Sequence, residues 1–168
     1  MSEPPVRKDR VAETTVSAVR EKIPNLENAA LGREYFYHSL PLCVIDAVFS
    51  IGVLYRNAQK AVEAWCAVQH PNWPIDRTLS AERRYTIGDF IRLTDGKHGL
   101  ALTQTFFGGN RQRTSTRNGI LKADATAHFA KALQESGIED FVDIRDPART
   151  DLAWRAVHII PGQGDSWA

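Results

Sequence analysis

A helix formed by LPLCVIDAVFSIGVL, Leu40 to Leu54, would have nowhere to put a polar face. Leu42, Val44, Ile45, Val48, Phe49 and Ile51 fall nearly all round the turn, and such a helix has to be surrounded by protein. The run is too short to cross a bilayer and contains Asp46, so it is expected to be the central core helix of a globular domain. Pro41 suits the first turn of that helix, where a missing N–H costs nothing.

The neighbouring segments are expected to supply the helices that cover it. Ala61, Val62, Trp65 and Val68 form a stripe that ends at His70-Pro71, making a helical hairpin with the first run. Ile87, Phe90 and Ile91, then Leu100, Leu102, Phe106 and Phe107, form two short elements separated by the turn Asp95 to Gly99. Helix is the expected type, because no segment shows sustained strand alternation with hairpin turns. Leu121, Ala125, Phe129 and Leu133 repeat every fourth residue, and Gly137 is placed to end their helix. Phe141 and Ile144 then fit a short turn, Pro147 starts a last helix, and Leu152, Ala156 and Ile159 carry its apolar face. Residues 1–39 are expected to form an N-terminal helical arm and connector, with Ala12, Val16, Val19 and Ile23 on one helix face and Pro24 closing it; residues 40–168 are expected to form the main helical domain. The expected fold class is mainly α, a multi-helix bundle.

Bulk composition restricts function mainly by exclusion. Lys and Arg number 21 against 20 Asp and Glu, a net charge of +1, so polyanion binding can be argued only from where charge is placed. Cys43 and Cys66 belong to no CxxC pair, which disfavours a disulfide framework or zinc knuckle; both are expected reduced. The five histidines, at 38, 70, 98, 128 and 158, lack HxxxH or HExxH spacing, so neither a metal nor another cofactor is expected. The first ten residues carry prolines and charges instead of an apolar signal core, making the cytoplasm the expected compartment and a membrane an unexpected partner.

Two segments have the chemistry of phosphate contact. Asn110 to Gly119 reads NRQRTSTRNG: Arg111, Arg113 and Arg117, with Lys122 just beyond, interleave with Thr114, Ser115 and Asn118. Guanidinium groups bind phosphate bidentately and short hydroxyl side chains can donate to the same oxygens; a solvated loop has the same composition. Arg83, Arg84, Arg92 and Lys97 are candidates to extend the patch. Farther on, Ile160-Pro161-Gly162-Gln163-Gly164 is either a tight turn between helices or an anion site, in which Gly162, Gln163 and Gly164 offer backbone N–H groups at close range. Asp46 is expected either to pair with Arg111 or Arg117 or to line a pocket with Asn110 for a small ligand or an extruded base.

LPLCVIDAVFSIGVLYRNAQKA together with the run from Gly109 to IPGQGDSWA resembles the helix-hairpin-helix superfamily of DNA glycosylases, the endonuclease III-like proteins. The resemblance implies a DNA-binding protein of base excision repair whose hairpin is built by Ile160, Pro161, Gly162, Gly164 and Ala168. Ser166 stands where bifunctional members carry a Schiff-base lysine, and the catalytic aspartate would fall after Ala168. It therefore implies at most a monofunctional N-glycosylase, with incomplete catalytic machinery and no assigned catalytic residue. Gly52 stands where the family often has a glutamine that fills the flipped base's space. Duplex DNA, damaged DNA included, is the implied partner, alongside self-association or a completing chain. The alternative is a helical scaffold turned to protein interaction or small-ligand binding.

Overall fold

The computed structural model describes residues 37–69 and 85–161, and these are mainly helical, with an isolated bridge as their only β pairing. The helices are α1 (Leu40–Ser50), α2 (Tyr55–Gln69), α3 (Ile87–Thr94), α4 (Gly99–Phe106), α5 (Lys122–Glu135) and α6 (Pro147–Val157), with a 3-10 turn at Asp143–Arg145 before α6. The expected N-terminal arm helix and the polar stretch from Asn72 to Arg84 lie outside the described residues. Among the described residues no helix is long and apolar enough to cross a membrane.

Pro41 does sit in the first turn of α1, and the core closes round that helix as its composition requires: Leu42, Val44, Ile45, Val48 and Phe49 are all buried. Helix α2 lies against α1, and α5 touches α1, α3, α4 and α6. Helix α5 can be approached on several sides because alanine dominates its sequence; Ala123, Ala125, Ala130 and Ala132 are buried among its neighbours. Between these helices Trp65 stacks on Phe90 with ring centroids 4.7 Å apart and also meets Phe106 and Phe107. Such ring contacts add about 0.5–1.5 kcal/mol each to the area they bury. The Trp65 indole N–H is buried among them without an acceptor.

Carboxylates from α5 and its exit secure the starts of the short helices. Gly99 N, at the head of α4, donates to Asp124 Oδ1 at 2.7 Å. At the head of α3, Gly88 N donates to Glu139 Oε2 at 2.7 Å and Ile87 N to the Glu139 carbonyl at 3.1 Å. Thr86 and Asp89 complete a reciprocal capping box there. The first N–H groups of a helix lack internal partners and carry its positive end, so these acceptors compensate for the shortness of α3 and α4. At the exit of α5, Gly137 has φ of +75°, the left-handed turn that lets the chain reverse toward α6. Asp143 accepts from Glu139 N and Asp140 N and pairs with Arg149 at 2.8 Å, and these contacts hold its carboxyl below the usual carboxylate range.

Two apolar stripes differ from expectation. In α6 and the turn after it the buried residues are Ala153, Val157 and Ile160, while Leu152 is 57% and Ile159 81% exposed. The face is rotated by one residue because helical spacing from Ala153 reaches Val157 and then Ile160 at four and seven positions, and α5 supplies the contact on that side. In α2, Ala61, Val62 and Trp65 are buried as the stripe predicts, whereas Val68, near the end of the helix, is half exposed.

Candidate nucleic-acid interface

The basic stretch from 110 to 119 carries three arginines and no acid. It forms a closed loop whose stem is the single antiparallel bridge between Arg113 and Leu121. Thr114 N donates to the Ile120 carbonyl at 2.9 Å, Lys122 N to the Gln112 carbonyl at 2.8 Å, and Arg113 Nε to the Gly119 carbonyl at 2.8 Å. Asn110 Oδ1 accepts from Gln112 N at 2.9 Å, the short-range turn that asparagine favours. Gly119 makes the closure possible: a Cβ there would stand 2.6 Å from the Ser115 carbonyl oxygen and 2.8 Å from Thr114 Oγ1.

The buried Thr114 hydroxyl accepts from Ile120 N at 3.2 Å and donates to the Pro161 carbonyl at 2.7 Å. This bond fastens the basic loop to the start of the Pro-Gly-Gln-Gly segment, 47 residues later in the chain. Gly162, Gln163 and Gly164 themselves, with Ser166 and Ala168, lie outside the described residues, as do Arg83 and Arg84. Arg111 and Arg117 are exposed, and Arg113, exposed as well, keeps its terminal guanidinium nitrogens after Nε has gone to the loop. Arg92 is held by Asp89 at 2.7 Å and Lys97 lies over the Phe106 ring, so each has a partner in its own neighbourhood.

Lys122 differs from the phosphate-contact role expected of it. Its side chain is fully buried, with Nζ donating to the Phe49 carbonyl at 2.9 Å and the Ile51 carbonyl at 2.6 Å. Those carbonyls end α1, which has no basic residue in its own last turn. The ammonium thus satisfies orphan acceptors at the negative end of a helix. Burial pushes its pKa down. No sequence signal separates this lysine from the arginines before it; only the position of α1 against α5 does.

Asp46 does not meet either arginine. It accepts a hydrogen bond from the Tyr37 hydroxyl, while Oδ1 is buried without a partner; desolvation holds the carboxyl above its ordinary range despite that bond. Burial, and then the nearby Asp46 charge, also raise the Tyr37 hydroxyl, and the same two causes push the Cys43 thiol up to about 11. Cys43 and Cys66 are both free thiols. Asn110 Oδ1 serves its own turn by accepting from Gln112 N. Gly52 has φ of +64° and serves the turn between α1 and α2.

Sequence reasoning passed over a second feature. Ala47, Val48, Ile51, Phe129, Trp154, Val157 and His158 line an open apolar groove of about 420 Å³ where α1, α5 and α6 meet. Trp154 is 56% exposed, and His158 stands edge-on to it at 4.5 Å and 88°. The available signal was a tryptophan on α6 set one position off the buried stripe, next to Ala153 and followed by Arg155.

The described fold and loop thus define a mainly helical domain that presents a stapled basic loop beside the end of its last helix. Over residues 13–166 the chain matches the family described as Domain of unknown function (DUF8548), and it belongs to that family. No curated protein and no solved structure matches it.

Proposed function

We propose that this chain binds DNA through the Arg111–Arg117 loop and the Pro-Gly-Gln-Gly segment beside it. The observation that supports this reading is the hydrogen bond from Thr114 Oγ1 to the carbonyl of Pro161, the residue that precedes Gly162 in the chain. Arg111 and Arg117 supply exposed guanidinium groups, Arg113 its terminal nitrogens, and the N–H groups of Gly162, Gln163 and Gly164 follow directly after the stapled carbonyl. Such contacts fix a protein on the phosphate backbone without selecting sequence. The resemblance to helix-hairpin-helix glycosylases supports duplex DNA as the partner. The reading is one of binding, and no residue is assigned a catalytic step.

The test is fluorescence anisotropy of the purified chain with labelled duplex over a salt series, for the native protein and for Arg111→Ala combined with Arg117→Ala. Salt-sensitive binding that the double variant weakens at least ten-fold is the expected result. Undiminished affinity in the double variant, or no binding by the native chain at low salt, overturns the reading.

A further inference from the structure

Asn118-Gly119 is the only Asn-Gly pair in the chain, and it lies at the closing end of the basic loop. Gly119 has no side chain to shield its backbone nitrogen, and among the described residues that N–H finds no acceptor. The Asn118 side chain is exposed, and among the described residues it makes no hydrogen bond either. The other described asparagines lack this arrangement. Asn57 lies inside α2 and precedes Ala58, while Asn110 Oδ1 accepts from Gln112 N at 2.9 Å and its residue precedes Arg111.

We infer that Asn118 is a site of intramolecular deamidation, and that its conversion to aspartate and isoaspartate switches off the anion contact of the loop. The second part rests on the binding mode proposed above and names a regulation of that site. Gly119 N attacks Asn118 Cγ and forms a cyclic succinimide; the Cγ–Nδ2 bond breaks, and Nδ2 leaves as ammonia with the proton that Gly119 N gives up. Water then opens the ring at either carbonyl, so asparagine and water become aspartate or isoaspartate and ammonia. Arg117, adjacent in the chain, and Arg113, whose Nε reaches the Gly119 carbonyl at 2.8 Å, favour the negative charge that develops on the attacked carbonyl oxygen. Either product adds a carboxylate to a stretch of three arginines and no acid. Isoaspartate also routes the backbone through the former side chain, which lengthens it by a methylene immediately before Gly119. There the Gly119 carbonyl holds Arg113, Ile120 N donates to Thr114 Oγ1 at 3.2 Å, and even a Cβ on Gly119 would stand 2.8 Å from Thr114 Oγ1. A loop closed this tightly has no room for an added backbone atom.

In the experiment the purified native chain and Asn118→Ser are held at mildly alkaline pH for days and sampled by tryptic digestion. Cleavage after Arg117 and Lys122 isolates the peptide of residues 118–122, in which chromatography with mass spectrometry separates asparagine, aspartate and isoaspartate. Fresh and aged proteins are then titrated with labelled duplex over a salt series. The expected result is conversion at Asn118 well ahead of Asn57 and Asn110, weaker binding by the aged native chain with a salt slope shallower by about one, and unchanged binding by aged Asn118→Ser. Freshly purified Asn118→Asp, which gains the charge without the methylene, is expected to lose less affinity than the aged native chain. Asn118 that stays intact in the folded chain while it converts in the urea-unfolded chain overturns the site. Conversion that leaves the affinity of a DNA-binding chain unchanged overturns the switch and keeps the binding reading. No binding by the fresh chain overturns the binding reading and the switch together, whereas the peptide map still decides the site.

Discussion

Among the described residues Lys122 is a fully buried charge and Asp46 a partly buried carboxylate, and they meet the cost of desolvation differently. Lys122 has two carbonyl acceptors and a helix C-terminus to answer its charge. Removing it leaves both acceptors buried and unpaired, which costs about 1–3 kcal/mol for each group. Lys122→Ala is expected to lower stability by about 3 kcal/mol, read as a shift in urea midpoint, and Lys122→Met, which restores volume but not the donor, to recover only part of it. A Met variant as stable as the native chain would show that the two bonds contribute nothing net. Asp46 has one hydroxyl donor and an unpaired oxygen, and its folded pKa lies above the unfolded value. The folded state therefore binds the proton more tightly. The associated stability is fully present below the unfolded pKa and is lost as pH rises through the folded one. Asp46→Asn should raise the midpoint of thermal unfolding at neutral pH and flatten its decline above the ordinary carboxylate range. Equal pH profiles for the two proteins would place the ionised carboxylate in a solvated setting instead.

At the scale of elements, the basic loop depends on one backbone position. Gly119 is buried, and a methyl group on it would press into the Ser115 backbone and the Thr114 hydroxyl that holds Pro161. Gly119→Ala is expected to cost about 1–3 kcal/mol, the range for inserting volume into a filled site, and to weaken DNA binding although no cation is removed. Near-native stability together with near-native binding in that variant would mean that the loop can close another way. The helices themselves were largely legible. Pro41 marks the start of α1, the stripe of Ala61, Val62 and Trp65 lies inside α2, and Gly137 ends α5 as its position suggests. What periodicity could not fix was the face of α6. Leu152, Ala156 and Ile159 fit helical spacing as well as Ala153, Val157 and Ile160 do, and only the position of α5 chooses between them. The caps supplied by Asp124 and Glu139 were likewise invisible, because each acts on a helix distant in sequence.

For the molecule as a whole, 21 basic against 20 acidic residues give no long-range field to gather a polyanion. Binding in the proposed mode therefore has to come from the few cations of the loop. With about three phosphates neutralised, the logarithm of affinity should fall with the logarithm of salt at a slope of about −3 for duplex. A slope several times steeper would require cations elsewhere on the molecule, and a slope near zero would remove the arginines from the contact. The same near-balance explains why the site was only half legible. The arginines of the loop stood out as a local cluster, but nothing in their spacing announced that Lys122 would turn inward or that Thr114 would reach Pro161.

The sequence by itself determined that the described part of this chain would be mainly helical and built round Leu40 to Phe49, because an apolar run of that length has no stable place except inside. It also carried the local clustering of Arg111, Arg113 and Arg117 on which the proposal of anion contact is built. Tertiary structure alone decided which cations remain outside, that Thr114 of the loop reaches Pro161, and that an apolar groove opens where α1, α5 and α6 meet. Those outcomes depend on contacts between residues tens of positions apart, whose direction is set by how α1, α5 and α6 pack and not by any pattern along the chain.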